Sequence, residues 1–358
     1  MRSIFFATLL AGSLSTAGVA LAQATSTAEA LVQEGIALYD QGQYQKAVVS
    51  YNQALKLEPT NSTALYELAL TYNALGRNAE AVELCKRLLK QNADPGPAVY
   101  GTYGNALDGL HKPKEAVKMY EEGVKRYPNE GSLYFNLGIT QANSLNQLDA
   151  AIASMQQAVR CRPEHANSHA ALAELTLAQG NRIPALLETM RLLQLEPQSK
   201  RAEACLVRLD KMMGQGVKQT GEKSVTISLA QAPVADANRK NSKPDNFAGM
   251  DLLLTMATAL DLDEKNKNKP SSERLLEKLT TLCRAMGEAE ATQRVGFVWQ
   301  HYAPYFVALE KQGHLPALVY SIQAARAEAL PEVQAWLTQH PTQVEALQEW
   351  SRTYAWPE

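Results

Sequence analysis

From residue 28 to residue 199 the apolar positions recur in blocks of 34 or 35 residues, and each block holds two helical stripes. In the first block Leu31, Gly35 and Leu38 are spaced four then three apart, so one helical face carries them. Gly42 supplies a turn, since glycine adopts positive φ without steric cost. Lys46-Ala47 then opens a second stripe through Val48, Tyr51, Ala54 and Leu55. Pro59 closes it, because proline lacks an N–H and disfavours helix in the residue before it. The block therefore predicts two antiparallel helices, neither able to bury its apolar face alone.

Four more blocks keep this register. The small residue of the first helix falls at Gly35, Ala69, Gly104, Gly138 and Ala173, and the alanine of the second at Ala47, Ala81, Ala116, Ala151 and Ala185. Four places on stand Tyr51, Cys85, Tyr120, Met155 and Thr189. Prolines close the blocks at Pro59, Pro128, Pro163 and Pro197, with the second slipped to Pro95. Gly104 and Gly138 are expected where two helices cross too closely for a β-branched side chain.

This pattern resembles the tetratricopeptide repeat (TPR), in which helix pairs stack into a solenoid. The fold class expected is all-α: a TPR-like α-solenoid of about five helix pairs over 28–214, with Lys200–Met213 as a capping helix. Five pairs exceed the roughly three needed for a continuous core.

Beyond the repeats, residues 215–246 lose the helical period and gain Gly, Ser, Asn, Lys and Pro, the composition of a linker. Val225–Leu229 alternates apolar and polar but has no evident partner strand, so it reads as extended linker. Residues 247–358 return to helical patterning without repeating. Helices are expected at Phe247–Leu262, Ser271–Met286, Ala289–Lys311, Pro316–Ala329, Pro331–Gln339 and Thr342–Tyr354, with Thr342 and Glu345 in capping-box spacing. This separate helical domain carries no motif that identifies a family. The linker predicts two bodies separable by trypsin within Lys218–Lys243.

The chain opens on Met1-Arg2, an apolar run from Ile4 to Ala22, and Ala20-Leu21-Ala22 before Gln23. A charged start, an apolar middle and a small-x-small end are the layout of a secretory signal, so residues 1–22 are expected to be removed. The mature chain is then exported, to the periplasm of a bacterial cell or an equivalent compartment, without a second membrane segment. Met250–Leu262 is too short to span and contains Asp251 and Asp261.

Formal charge is −2, giving no general attraction to nucleic acid or anionic membrane. Cys85, Cys161, Cys205 and Cys283 lie far apart, so zinc and thiol-exchange spacings are absent. They are either buried thiols or, since export permits it, disulfide-bonded in one of three pairings. His165 and His169 are four apart, yet His165 falls at a turn and no third ligand is near, so no metal or cofactor is expected. Catalytic signatures for zinc hydrolysis, serine nucleophiles or phosphate loops are missing.

Function then rests on surface shape. The resemblance implies that first helices line a concave groove. It would carry Val32, Ile36 and Tyr39, then Tyr66, Leu70 and Asn73, then Asn105 and Asp108. Phe135, Ile139 and Asn143 follow, and Asn167, Glu174 and Leu177 complete it. Apolar residues among asparagines suit a protein or peptide partner, whose backbone the amides can pair. The lysine and asparagine with which the chaperone-binding branch begins its carboxylate clamp are replaced by Val32 and Ile36. The expected function is a non-enzymatic interaction scaffold. The alternatives are a homo-oligomer, or a hydrophobic ligand or enzymatic site in the C-terminal domain. There Trp299, Trp336, Trp350 and Trp356 cluster with Phe297–Phe306 and His301, either as a core or as a pocket. Trp356, near the end, is the ring expected to be exposed.

Overall fold

The computed structural model describes residues 16–221, 225–228 and 245–357. Residues 1–15, the larger part of the segment read as a secretory signal, and most of residues 215–246 lie outside them. Described residues form an all-α chain apart from one small hairpin, and it resolves into two compact units, residues 1–145 and 146–358.

The first unit contains α1 (Thr16–Asp40), α2 (Tyr44–Leu57), α3 (Ser62–Ala74), α4 (Asn78–Gln91), α5 (Pro97–Gly109), α6 (Pro113–Arg126) and α7 (Gly131–Asn143). Helices α1, α3 and α5 each pack on the second helix that follows and on the next first helix. First helices also touch one another in the order α1, α3, α5, α7, whereas α2, α4 and α6 make no comparable mutual contact. The first helices are therefore the inner row of this stack and the second helices its outer row.

The turn inside each pair uses a left-handed residue. Gly42 and Gly76 adopt φ of 73° and 70°, and His111 takes 59° at the same place in the third pair. His111 pays no prohibitive penalty there, since single polar residues visit this region far more readily than β-branched ones.

Helix approach within a pair is set by a notch and a plug. A Cβ on Gly35 would lie 2.4 Å from Cε1 of Tyr51, and one on Gly104 would lie 2.3 Å from Cε1 of Tyr120. Where the plug is small, as at Cys85, the notch residue is Ala69. The two positions exchange volume, so the pairs keep one spacing with different side chains.

The second unit contains α8 (Leu148–Cys161), α9 (Ala166–Ala178), α10 (Arg182–Leu195) and α11 (Ala202–Gly214), then β1 (Val217–Gln219) and β2 (Val225–Ile227). Helices α12 (Ala248–Ala259), α13 (Ser271–Glu288), α14 (Phe297–Lys311), α15 (Leu315–Ile322), α16 (Pro331–Gln339) and α17 (Pro341–Thr353) complete it. Ala291–Gln293 and Ala324–Arg326 are 3-10 turns, so the helices expected at Ala289–Lys311 and Pro316–Ala329 are each shorter. The capping box stands at Glu290 and Gln293; α17 has no side-chain cap from Thr342.

Helix α10 is the axis of this unit. Every residue from Arg182 to Leu193 is buried, because α9, α11, α12, α14 and α15 surround it. Its apolar residues run round the helix instead of along one stripe, and Arg182, Glu188 and Arg191 are buried among them. Arg182 pairs with Asp251 at 2.7 Å and donates to the carbonyl oxygens of Gln215 and Asp251 and to Thr255. Arg191 reaches Tyr305, Gln194 and Ser351.

Two linker expectations change. The alternating segment at 225–227 does find a partner, pairing antiparallel with 217–219 in the register Val217 to Ile227, and the hairpin rests on α12. The compact division also falls after Leu145, not in the linker, because the C-terminal helices enclose α10. Trypsin is still expected to cut within Lys218–Lys243. The two products should co-elute on native size exclusion, since parting them would bare α10 to water. Elution as two free helical fragments would contradict this.

The wholly buried histidine His169 holds Tyr302 at 2.6 Å through Nδ1 and the Pro163 carbonyl at 2.9 Å through Nε2. A carbonyl only accepts, so the ring proton is on Nε2 and Tyr302 donates to Nδ1. Burial, reinforced by the Arg191 charge, pushes His169 down to about 3. His301 also falls to about 3, through burial and then Arg160. Burial raises Glu188 to about 8 and Asp245 to about 6. The histidines contribute fully above 6.5 and lose that contribution as pH falls toward 3. Glu188 contributes fully below 4.5 and loses its contribution as pH rises toward 8. Asp245 behaves likewise between 3.8 and about 6. Thermal stability should therefore peak between about pH 5 and 6.5. Glu188→Gln should flatten the alkaline side, and an unchanged profile would refute the assignment.

Candidate protein-binding face

On the inner row of the first unit, α1 shows Ile36 and Tyr39 half-buried, with Tyr39 tilted against Tyr44 at 5.1 Å. Val32 is not part of this surface. It lies on the same stripe as Ala28 and Gly35, facing α2 and α3, and is fully buried among Ala47, Tyr51 and Ala64. Helix α3 presents Tyr66 and Leu70 half-buried. Asn73 donates from Nδ2 to the Thr102 carbonyl at 2.8 Å, tying α3 to α5, while its Oδ1 is buried without a partner.

Helix α5 adds Asn105, exposed, whose Oδ1 accepts from the Tyr120 hydroxyl at 2.6 Å. Asp108 accepts from Thr140 at 3.2 Å. Phe135 and Ile139 of α7 are half-buried and Asn143 is exposed. The inner row is thus an apolar and aromatic strip whose polar groups already bind the repeats together and leave single acceptors over.

In the second unit the remaining candidates are committed to α11. Asn167 accepts from Arg201 at 2.9 Å, and Glu174 pairs with Arg208 at 3.0 Å. Leu177 is half-buried.

Sequence reasoning passed over Asp40 and Glu67, which join the strip at α1 and α3. Burial raises the Glu67 carboxyl, and the Asp40 charge raises it further. Tyr39 and Tyr66 are also raised, chiefly by burial. The signal that would have found them is the distribution of charge between first and second helices.

An open recess of about 560 Å³ lies toward the outer row, lined by residues such as Asn52, Leu55, Tyr72, Glu80, Leu84 and Arg87. It is a shallow feature between α2 and α4 and encloses no polar group set apart from solvent.

The aromatic C-terminal region is packed. Tyr302, Tyr305 and Phe306 have no exposed surface, and Trp299 stacks on Phe247 at 4.2 Å. Trp356, expected to be exposed, is half-buried and stacked on Tyr305 and His301, each at 4.6 Å. These rings interlock with one another and leave Trp299, Tyr302 and Tyr305 facing no chamber. His169 is taken up by Tyr302 and Pro163, while His165 turns to Ser168 at 2.7 Å, so the two do not form a shared ligand pair. All four cysteines are free thiols, three of them buried, and burial pushes Cys85 and Cys283 up to about 12.

Tetratricopeptide-repeat profiles match residues 38–105 and 104–166. The helix pairs, the notch-and-plug columns and these matches agree that residues 38–166 are tetratricopeptide repeats, a module of protein–protein interaction. It is 24% identical over 197 residues to human "Protein O-mannosyl-transferase TMTC1", spanning 53% of this chain and 22% of that protein. It is 33% identical over 102 residues to "Small glutamine-rich tetratricopeptide repeat-containing protein" of Dictyostelium discoideum, covering 28% of this chain and 30% of the relative. With "Hsp70-Hsp90 organising protein" of Plasmodium falciparum it shares 27% identity over 137 residues, 38% of this chain and 54% of the relative. The matches thus span less than two thirds of these relatives' lengths. Among solved structures, TTC0263, a TPR protein of Thermus thermophilus, aligns with 52% of this chain and 98% of its own at 25% identity and a TM-score of 0.44.

Proposed function

We propose that this chain is an exported, non-enzymatic adaptor that holds a protein or peptide partner on the inner row of its repeats. The observation that carries this reading is the half-buried strip of Ile36, Tyr39, Tyr66, Leu70, Phe135 and Ile139. Apolar side chains of a partner would lie on the strip, and the exposed amides of Asn105 and Asn143 beside it can pair with a partner's backbone. In pull-downs from envelope extracts, Tyr66→Ala with Phe135→Ala should lose partners that the wild-type chain recovers. Equal recovery would remove the inner row from the function.

Export to the periplasm is supported by the charged, apolar and small-residue layout of residues 1–22. Mature protein should begin at Gln23 on N-terminal sequencing, and an intact Met1 on a membrane-integrated product would reject it. Among the described residues no helix is long and apolar enough to cross a membrane.

A further inference from the structure

Charge in the first unit is sorted by helix. The inner helices α1, α3, α5 and α7 carry Glu29, Glu34, Asp40, Glu67 and Asp108 and not one lysine or arginine. The outer helices α2, α4 and α6 carry nine lysines and arginines against five glutamates. None of the inner carboxylates has a cationic partner within ion-pair distance among the described residues, whereas the outer ones form pairs such as Arg77–Glu80 at 2.8 Å. Burial raises the Glu67 carboxyl, and the Asp40 charge adds to it.

A second observation lies at the same place. The Tyr51 ring crosses Gly35 as Tyr120 crosses Gly104, but the residue after the glycine is Ile36 where the third pair has Asn105. The Tyr120 hydroxyl is therefore satisfied by Asn105, whereas the fully buried Tyr51 hydroxyl has no such amide and makes no hydrogen bond of good geometry. Thr71 Oγ1, which donates to the Glu67 carbonyl at 2.7 Å, is the acceptor that the Tyr51 hydroxyl faces. The junction of α1 and α3 thus holds two carboxylates without a cationic partner over a buried, poorly satisfied hydroxyl, flanked by the half-exposed rings of Tyr39 and Tyr66.

We propose that this face takes a basic peptide segment of the partner, with lysine or arginine side chains at Asp40, Glu67 and Asp108 and apolar side chains on Tyr39, Tyr66 and Leu70. The inference rests on the inner-row reading above and names the chemistry of its ligand. Carboxylates supply the counter-charge, and tyrosine faces attract a cation through the ring quadrupole. An acidic segment would meet only like charges along the row, which sets specificity by repulsion as well as attraction.

The test is fluorescence anisotropy on the full mature chain with a labelled peptide of alternating lysine and leucine, about ten residues long to lie along three first helices. Counterparts with glutamine or glutamate in place of lysine complete the set. The lysine peptide should bind tightest and the glutamate peptide weakest, with a preference that shrinks as salt rises. Asp40→Asn with Glu67→Gln should weaken the lysine peptide about tenfold and leave the glutamine peptide unchanged. Asp40→Asn alone, at an exposed side chain, should show part of the loss with an unaltered circular dichroism spectrum. Glu83→Gln with Glu122→Gln, which removes the same charge from the outer row, should change nothing. Equal binding of the lysine and glutamate peptides overturns the proposal, as does an equal loss from the outer-row variant. If the glutamine peptide binds as well as the lysine peptide and Tyr66→Ala weakens both, the cationic preference falls while the inner-row reading stands. If no peptide binds and Tyr66→Ala with Phe135→Ala retains every partner, both fall.

Discussion

Gly104→Ala should destabilise the first unit by about 3 kcal/mol, at the upper end of what overpacking usually costs. The added methyl would sit 2.3 Å from a ring carbon of Tyr120, whose side chain is buried and hydrogen-bonded to Asn105. Neither the ring nor the helix backbone can move without opening the core on the far side. Tyr120→Cys alone should cost about 3–5 kcal/mol through the cavity it leaves. The two together reproduce the Ala69 and Cys85 combination of the second pair. The double variant should therefore be more stable than the sum of the single changes by about 1–3 kcal/mol. Urea denaturation of the four proteins measures the coupling. Simple additivity would show that notch and plug do not exchange volume.

Arg182→Met should be as damaging in the second unit, by about 3–5 kcal/mol, because it strands a buried charge. Arg182 is the shared partner of the Asp251 carboxylate, the Asp251 and Gln215 carbonyl oxygens and the Thr255 hydroxyl. Removing it leaves Asp251, only 19% exposed, facing an apolar side chain. Adding Asp251→Leu should recover at least half of the loss, since apolar replacement of a whole buried pair is often near neutral. Thermal unfolding of the single and double variants tests this. A double variant no more stable than the single would mean that the carbonyl contacts, not the ion pair, dominate. In either variant the hairpin and α12 should become the first targets of protease, as Arg182 is what ties them to α10.

Much of this molecule is legible in its sequence for one reason: a repeat states its rule several times. The boundaries of α2 and α3 follow from Lys46-Ala47, Pro59 and Asn61, the last accepting from the Ala64 N–H at 2.8 Å as a helix cap. The inner row was legible too, in Tyr39, Tyr66 and Phe135. Val32 was misplaced because helical spacing alone does not say which of two adjacent stripes faces solvent. His111 was missed as a left-handed turn residue because only glycine announces that conformation plainly.

What the sequence determined by itself is the local and periodic part: helix pairs, their register, their notch residues, and the sorting of charge between first and second helices. These rest on interactions within about one block of chain, where spacing and side-chain volume suffice. Only the tertiary structure decided that the C-terminal helices enclose α10, that Arg182 and Arg191 are spent on that enclosure, and that Trp356 stacks inward on Tyr305. Those contacts join residues more than fifty positions apart. Nothing in the local pattern of α10 said which helices would enclose it, since burial is satisfied equally well by any apolar surface of fitting shape.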